Sequence, residues 1–208
     1  MTHVNNFVRK AIILVLVVMM VATLPMVAFA AEEEYEMPLY NQYDYAHVPY
    51  RSSNVARSGC GITSLAMVAS YLFQDESITP EYLATVYGNH KEPVDGIDYS
   101  TLCTIMVTVG ENLGLKMTLS YHWKDAYAAL QEGKVVITLQ NPGCFTQTPN
   151  GHFVVFRGLT EDGKKVLVND PNGHTYKAYP DEFANGFPIH KVCDTGSGYW
   201  VVEIDDFS

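Results

Sequence analysis

The sequence predicts an α+β fold, with helices in the first half and an antiparallel sheet of strands and turns in the second. Three observations carry this. Apolar residues recur at intervals of three and four after Gly61, and Val135-Val136-Ile137-Thr138-Leu139 is a β-branched run of strand length. Asp162-Gly163 then separates two further strand-like runs, as a hairpin turn does. With 208 residues, 48% hydrophobic and 17% charged, the chain suits one ordinary domain with a sizeable core.

At the N-terminus Arg9 and Lys10 precede an uncharged run from Ala11 to Ala31 that ends in Val27-Ala28-Phe29-Ala30-Ala31. A basic start, an apolar stretch and an Ala-x-Ala site make a secretory signal, cut after Ala30. The alternative is an uncleaved anchor, since 21 uncharged residues are just long enough to span a bilayer. Pro25 and the Ala-x-Ala end favour cleavage. Residues 1–30 are therefore read as a signal peptide, and 31–37, with four glutamates, as a solvated acidic leader. Residues 38–208 are read as one domain, secreted or cell-wall associated, without a repeat or a second core. Losing residues 1–30 reduces 13 basic residues to 11 against 23 acids, so the net charge moves from −10 to −12. Such a surface disfavours nucleic acid and anionic membrane as partners, so after signal cleavage no membrane association is expected. Nothing in the pattern specifies an oligomeric state.

Within the domain, Leu39 to Ser53 is rich in Tyr and lacks a helical period, which reads as extended chain and loop. A helix from about Gly61 to Phe73 should bury the face of Ile62, Leu65, Ala66, Ala69, Leu72 and Phe73, with its first turn at the surface. Thr79-Pro80-Glu81 caps a second helix to about Val86, and Gly88 to Asp98 is a polar loop. A third helix, from about Ser100 to Asn112, stops at Gly114, and a fourth, Trp123 to Gln131, stops at Gly133. Strands follow at 135–139, 152–158, 165–169 and 199–204.

Cys60 stands between two glycines at the start of the first helix, in Ser58-Gly59-Cys60-Gly61-Ile62-Thr63-Ser64. Unpaired N–H groups and the helix dipole favour a thiolate there, and the glycines let the backbone turn and a substrate approach. An isolated cysteine is more often a small buried hydrophobe, so the reading depends on partners. His152 opens one strand after Gly151, and Asp170 closes the next in Val168-Asn169-Asp170-Pro171. If the two strands pair across Asp162-Gly163, His152 and Asp170 become neighbours. The imidazole can take the thiol's proton, and the carboxylate can orient it and stabilise the imidazolium. Asn169 is the alternative orienting group, and His174 the reserve base. His3 is lost with the signal, and His47, His90, His122 and His190 read as surface residues.

A tetrahedral oxyanion would need the Cys60 N–H and a side-chain amide, for which Gln42 and Asn54 are the candidates. The other cysteines, Cys103, Cys144 and Cys193, show no CxxC spacing with Cys60 or each other, so neither a metal nor another cofactor is implied. Cys103 reads as a buried helix residue, and Cys144 with Cys193 is the first pair to suspect of a disulfide.

Four elements in order, Gln42-Tyr43-Asp44, Ser58-Gly59-Cys60-Gly61 with Thr63-Ser64-Leu65-Ala66-Met67, Gly151-His152-Phe153-Val154-Val155, and Asn169-Asp170-Pro171, resemble the peptidase C39-like group of the papain-like cysteine peptidases. The resemblance covers Gln42 to Pro171. It implies a papain-like fold, the nucleophile's helix packed on the sheet, and a peptide or protein substrate. It also implies Cys60 as nucleophile, His152 as general base, Asp170 as orienting acid and Gln42 as oxyanion donor. In the bacteriocin-processing branch the oxyanion Gln lies six positions before the Cys, where this chain has Asn54. Gln42 lies eighteen before it, which looks like an exported, Gram-positive branch with an insertion. Two other functions compete with a peptidase: a cell-wall amidase or endopeptidase of the NlpC/P60 or CHAP kind, and a non-catalytic peptide-binding module on the same frame.

Overall fold

Apolar runs buried on both faces along the second half of the chain build the sheet around which the other elements are arranged. In the computed structural model, residues 35–87 and 102–205 are described. The signal segment, residues 31–34 of the leader, and 88–101 with the expected polar loop, His90 and the expected helix start at Ser100 lie outside them. Tyr35–Ser208 clusters as one compact unit.

A two-residue hairpin, β1 (Pro49–Tyr50) and β2 (Ser53–Asn54), comes first. The main sheet comprises β3 (Leu115–Ser120), β4 (Val135–Gln140), β5 (His152–Leu159), β6 (Lys165–Asn169), β7 (Phe187–Pro188) and β8 (Gly196–Ile204). Its order is β3-β8-β4-β5-β6-β7, with antiparallel pairing throughout. The fold is α+β, as expected, with two additions: β3 forms one edge, and β7 forms the other.

Helices cover both faces. They are α1 (Val55–Ser58), α2 (Cys60–Phe73), α3 (Pro80–Tyr87), α4 (Leu102–Asn112), α5 (Trp123–Gln131), α6 (Thr175–Ala178), α7 (Pro180–Asn185) and α8 (Ile189–Cys193). Successive strand residues point to opposite faces, so Val135, Ile137, Phe153, Val155, Trp200 and Val202 join the cluster formed with α2, α3 and α4. Val136, Val154, Phe156, Val166, Val168 and Tyr199 join a second cluster with Ala126, Ala129 and Leu130 of α5 and Val192 and Cys193 of α8. The expected single core is thus two apolar layers on one sheet, which is why the β4 run is apolar on both faces.

The first helix differs from expectation in the same sense. Every residue from Gly61 to Ser70 is buried, because α2 is enclosed by the sheet on one side and by α1, α3 and α4 on the others. Its polar residues are the small Thr63, Ser64 and Ser70, and the Ser70 hydroxyl lies 3.0 Å from that of Tyr35. The capping signals act as read. Thr79 Oγ1 accepts from the Tyr82 N–H at 3.1 Å, and Gly114 and Gly133 end their helices at φ 88° and 78°.

Gly59, between α1 and α2, serves a different purpose from the sharp turn expected of it. Its φ is −93°, open to any residue, but a Cβ there would lie 2.4 Å from the Val55 carbonyl oxygen and 2.5 Å from Val55 Cγ1. The α1–α2 junction is therefore packed too tightly for a side chain. Gly59→Ala is expected to destabilise the fold by about 1–3 kcal/mol through overpacking, read as a lower urea midpoint. An unchanged midpoint would show that the junction relaxes freely.

Candidate active site

Each of the residues singled out in the sequence has a position fixed by backbone geometry. Cys60 is the first residue of α2 and is half-buried. His152 is the first residue of β5, preceded by Gly151 at φ 75°, a conformation that favours glycine. A Cβ on Gly151 would also come within 2.9 Å of Leu139 Cδ1 and 3.0 Å of the Gln140 carbonyl oxygen. β6 pairs with β5 so that Asn169 faces Val155. Asp170 directly follows Asn169, which brings it toward the end of β5 where His152 stands.

His152 Nε2 and Asp170 Oδ1 are 2.6 Å apart, with His152 8% and Asp170 1% exposed. That contact leaves Nδ1 of the ring for the thiol of Cys60, with which His152 makes a side-chain hydrogen bond. Burial alone would push the Cys60 thiol up. The His152 hydrogen bond and charge, with the N–H groups of Phe153 and Gly61, outweigh it and hold the thiol below its ordinary value. For His152, burial disfavours the charge, but hydrogen bonds to Asp170 and Cys60 and the negative charge on both raise it to about 10. The same contact thus favours the thiolate form of Cys60 and the charged form of His152.

Asp170 is fully engaged. Its Oδ1 also accepts the Asn172 N–H at 2.7 Å, an Asx-turn, while Oδ2 accepts the Thr175 hydroxyl at 2.6 Å. The Asp170 N–H donates to the Tyr176 hydroxyl at 3.0 Å. Asn169, the alternative orienting group, is turned instead toward the Pro38 carbonyl at 3.4 Å. His174 is exposed at the start of α6 with its ring against Tyr43, centroids 4.8 Å apart, so the reserve base makes its contact outside the site.

The two oxyanion candidates also separate. Gln42 is buried in a 3-10 turn, Gln42–Tyr45, and its Nε2 donates to the Ala56 carbonyl at 2.7 Å. Its backbone N–H donates to the Pro171 carbonyl at 2.8 Å, which joins it to the Asp170 loop. That bond leaves one Nε2 hydrogen uncommitted among the described residues, and Oε1 is buried without a partner. Asn54 caps α1, its Oδ1 accepting the Arg57 N–H at 3.1 Å. The β1–β2 hairpin and α1 occupy the chain between Gln42 and Cys60, which accounts for their wide separation.

The cleft at Cys60 has a volume of about 470 Å³. Leu139, Phe153 and Gly151 form part of its wall, and Arg57, Ser58, Thr148 and Asn150 contribute the polar part. Cys103 lines it too. The sequence placed Cys103 within a helix core, but it is half-buried in α4, and burial together with the Cys60 charge raises its thiol. All four cysteines are free, including the suspected pair: Cys193 is buried in the second apolar layer, and Cys144 directs its sulfur to the Lys191 carbonyl. Sequence reasoning missed Thr175 and Arg57. The Asp170-Pro171-Asn172-Gly173 turn was legible as an Asx-turn sequence, whereas nothing local marked Thr175 as a partner of Asp170.

A profile of the Peptidase C39 like family matches residues 34–190. The chain belongs to the peptidase C39-like family. That membership is consistent with hydrolysis of peptide bonds. Three solved structures are similar to this C39-like chain. A C39-like peptidase from Bacillus anthracis is 16% identical, with 80% of this chain and 95% of that one covered and a TM-score of 0.50. The peptidase domain of Streptococcus ComA, a bifunctional ABC transporter of a quorum-sensing pathway, is 14% identical, with 80% and 98% covered and a TM-score of 0.47. A double-glycine-motif protease from an AMS/PCAT transporter, in complex with a leader peptide, is 18% identical, with 83% and 94% covered and a TM-score of 0.46. The Bacillus likeness is one of fold. Comparison with curated protein sequences finds no match.

The ion pair predicts how Cys60 alkylation depends on pH. The rate should rise with pH through a midpoint below the ordinary cysteine value, because the thiolate forms early. His152→Ala removes the hydrogen bond and positive charge and leaves burial, so the midpoint should move above that value and the neutral-pH rate should fall. Iodoacetamide kinetics from pH 5 to 10 measure both. Identical profiles would exclude His152 as the partner of Cys60.

Proposed function

We propose that this protein is an exported cysteine peptidase that cleaves peptide bonds through an acyl-enzyme on Cys60. The observation that supports it most is the buried contact of His152 with Asp170, with the thiol of Cys60 on the other side of the ring. In this reading the Cys60 thiolate attacks the scissile carbonyl carbon. The resulting oxyanion is stabilised by the Cys60 N–H and the free Nε2 hydrogen of Gln42. His152 Nδ1–H gives its proton to the leaving amine, and the neutral imidazole then takes a proton from water, which attacks the thioester and releases the acid. Asp170 holds the tautomer and stabilises the imidazolium in each half-reaction.

Gln42 is preferred over Asn54 as donor because its amide is buried and held at Ala56 with one hydrogen to spare, while the Asn54 side chain is turned to the opposite end of α1 from Cys60 as its N-cap. The Ala-x-Ala segment ending at Ala30 supports export, to the medium or the wall of a Gram-positive cell. Among the described residues no helix is long and apolar enough to cross a membrane.

Purified protein incubated with a peptide library and, separately, with peptidoglycan should cleave peptides, and Cys60→Ala should abolish this without lowering the unfolding midpoint. Cleavage of peptidoglycan alone would favour the wall-hydrolase reading, and silence with both the binding-module reading. Gln42→Ala should reduce peptide turnover by about a hundredfold, on the order of 3 kcal/mol, while leaving Cys60 alkylation nearly unchanged. Alkylation makes no oxyanion and does not need the donor. If Asn54→Ala has that effect and Gln42→Ala does not, the donor assignment is reversed.

A further inference from the structure

We infer that Arg57 makes the cleft at Cys60 a carboxylate-recognition site, so that preferred substrates carry an acidic group close to the scissile bond. This rests on the peptidase reading only for the word substrate. The recognition itself is a property of the cleft. Of the described residues lining the cleft, Arg57 is the only basic one, and none is an Asp or Glu. The rest of the lining is the thiols Cys60 and Cys103, the apolar Leu139 and Phe153, Gly151, and the neutral polar Ser58, Thr148 and Asn150.

The position of Arg57 is built rather than incidental. Its own N–H is capped by Asn54, and the carbonyl of the preceding Ala56 is held by Gln42. Ala56 and Gly59 on either side are buried, so the short helix is anchored while the Arg57 side chain remains exposed at the cleft. In a chain with 23 acids against 13 bases, Arg57 nevertheless has no carboxylate within 4.0 Å among the described residues. No described carboxylate therefore competes for its guanidinium, whose fork matches the two oxygens of a carboxylate.

The acidic remainder of the molecule does not cancel this. Charges more than about 8–10 Å away are largely screened at physiological salt, so a group entering the cleft responds mainly to what lines it. Asp170, the carboxylate in contact with His152, is 1% exposed and paired with that ring. A cleft of about 470 Å³ is also within the range of sites that enclose a ligand. An Asp or Glu side chain and a free peptide C-terminus present the same chemistry.

Two measurements test this. The first compares alkylation of Cys60 by iodoacetate and iodoacetamide. Both consume the same thiolate, so their rate ratio cancels its pKa and reports the electrostatics of approach. Arg57→Ala should lower the iodoacetate-to-iodoacetamide ratio by about three- to fivefold. Arg57→Glu should lower it further, and Arg57→Lys should keep part of it. An unchanged ratio across these variants overturns the proposal. The second compares peptides with Glu or Gln at each position around the cleaved bond, and free with amidated C-termini. Higher kcat/KM for internal Glu, lost in Arg57→Ala, identifies a side chain as the ligand. The same pattern confined to free C-termini identifies the terminal carboxylate. No preference in either set overturns the substrate claim, and absence of all cleavage with a shifted alkylation ratio refutes the peptidase reading while leaving the carboxylate site in place.

Discussion

The buried ion pair of His152 and Asp170 is the constraint on which the rest of the site depends. Two charges taken out of water cost several kcal/mol each unless their hydrogen-bonding capacity is filled. Asp170 therefore draws in Asn172 and Thr175, and its own N–H is taken by Tyr176. The turn that satisfies the carboxylate also brings α6 to the end of β6. On the other side of the ring, the thiol of Cys60 is held at the start of a helix enclosed by apolar layers. The charged ring is compensated by the Asp170 carboxylate, so removing that carboxylate would leave a buried charge without compensation.

Much of this was legible because it rests on local pattern and one hairpin. The Asp162-Gly163 turn fixes which ends of β5 and β6 meet, so His152 and Asp170 could be paired from sequence alone. Helix limits at Thr79, Gly114 and Gly133 followed from capping chemistry that needs no tertiary context. What was not legible depended on tertiary enclosure. The sequence of α2 reads as amphipathic because Thr63, Ser64 and Ser70 are polar, yet they are small enough to be buried. The edge strand β3 alternates poorly, with only Leu115 of its residues buried, and so carries little signal. Cys103 looked like a core residue because helical periodicity does not distinguish a core from the wall of a cleft.

The same limit explains the oxyanion candidates. Spacing from Cys60 favoured Asn54 and motif favoured Gln42, and a hairpin and a helix lie between Gln42 and Cys60. Asn54 is used to start α1. Gln42 reaches α1 from an element distant in sequence, and a family comparison based on counting residues would overlook it. The Peptidase C39-like match and the shared fold with the Bacillus protein set the frame within which these local differences stand.

Three hydrogen bonds join residues 38–42 to residues 169–173: Asn169 to the Pro38 carbonyl, Gly173 to Asn41, and Gln42 to the Pro171 carbonyl. The first two span 131 and 132 positions. The loop that supports Asp170 is thus completed by the beginning of the domain, across nearly its whole length. Contacts so remote in sequence form late in folding, since chain entropy opposes them until nearer contacts exist. Until they form, the loop that holds the carboxylate beside His152 is incomplete. The geometry of the candidate site is thereby tied to completion of the native topology.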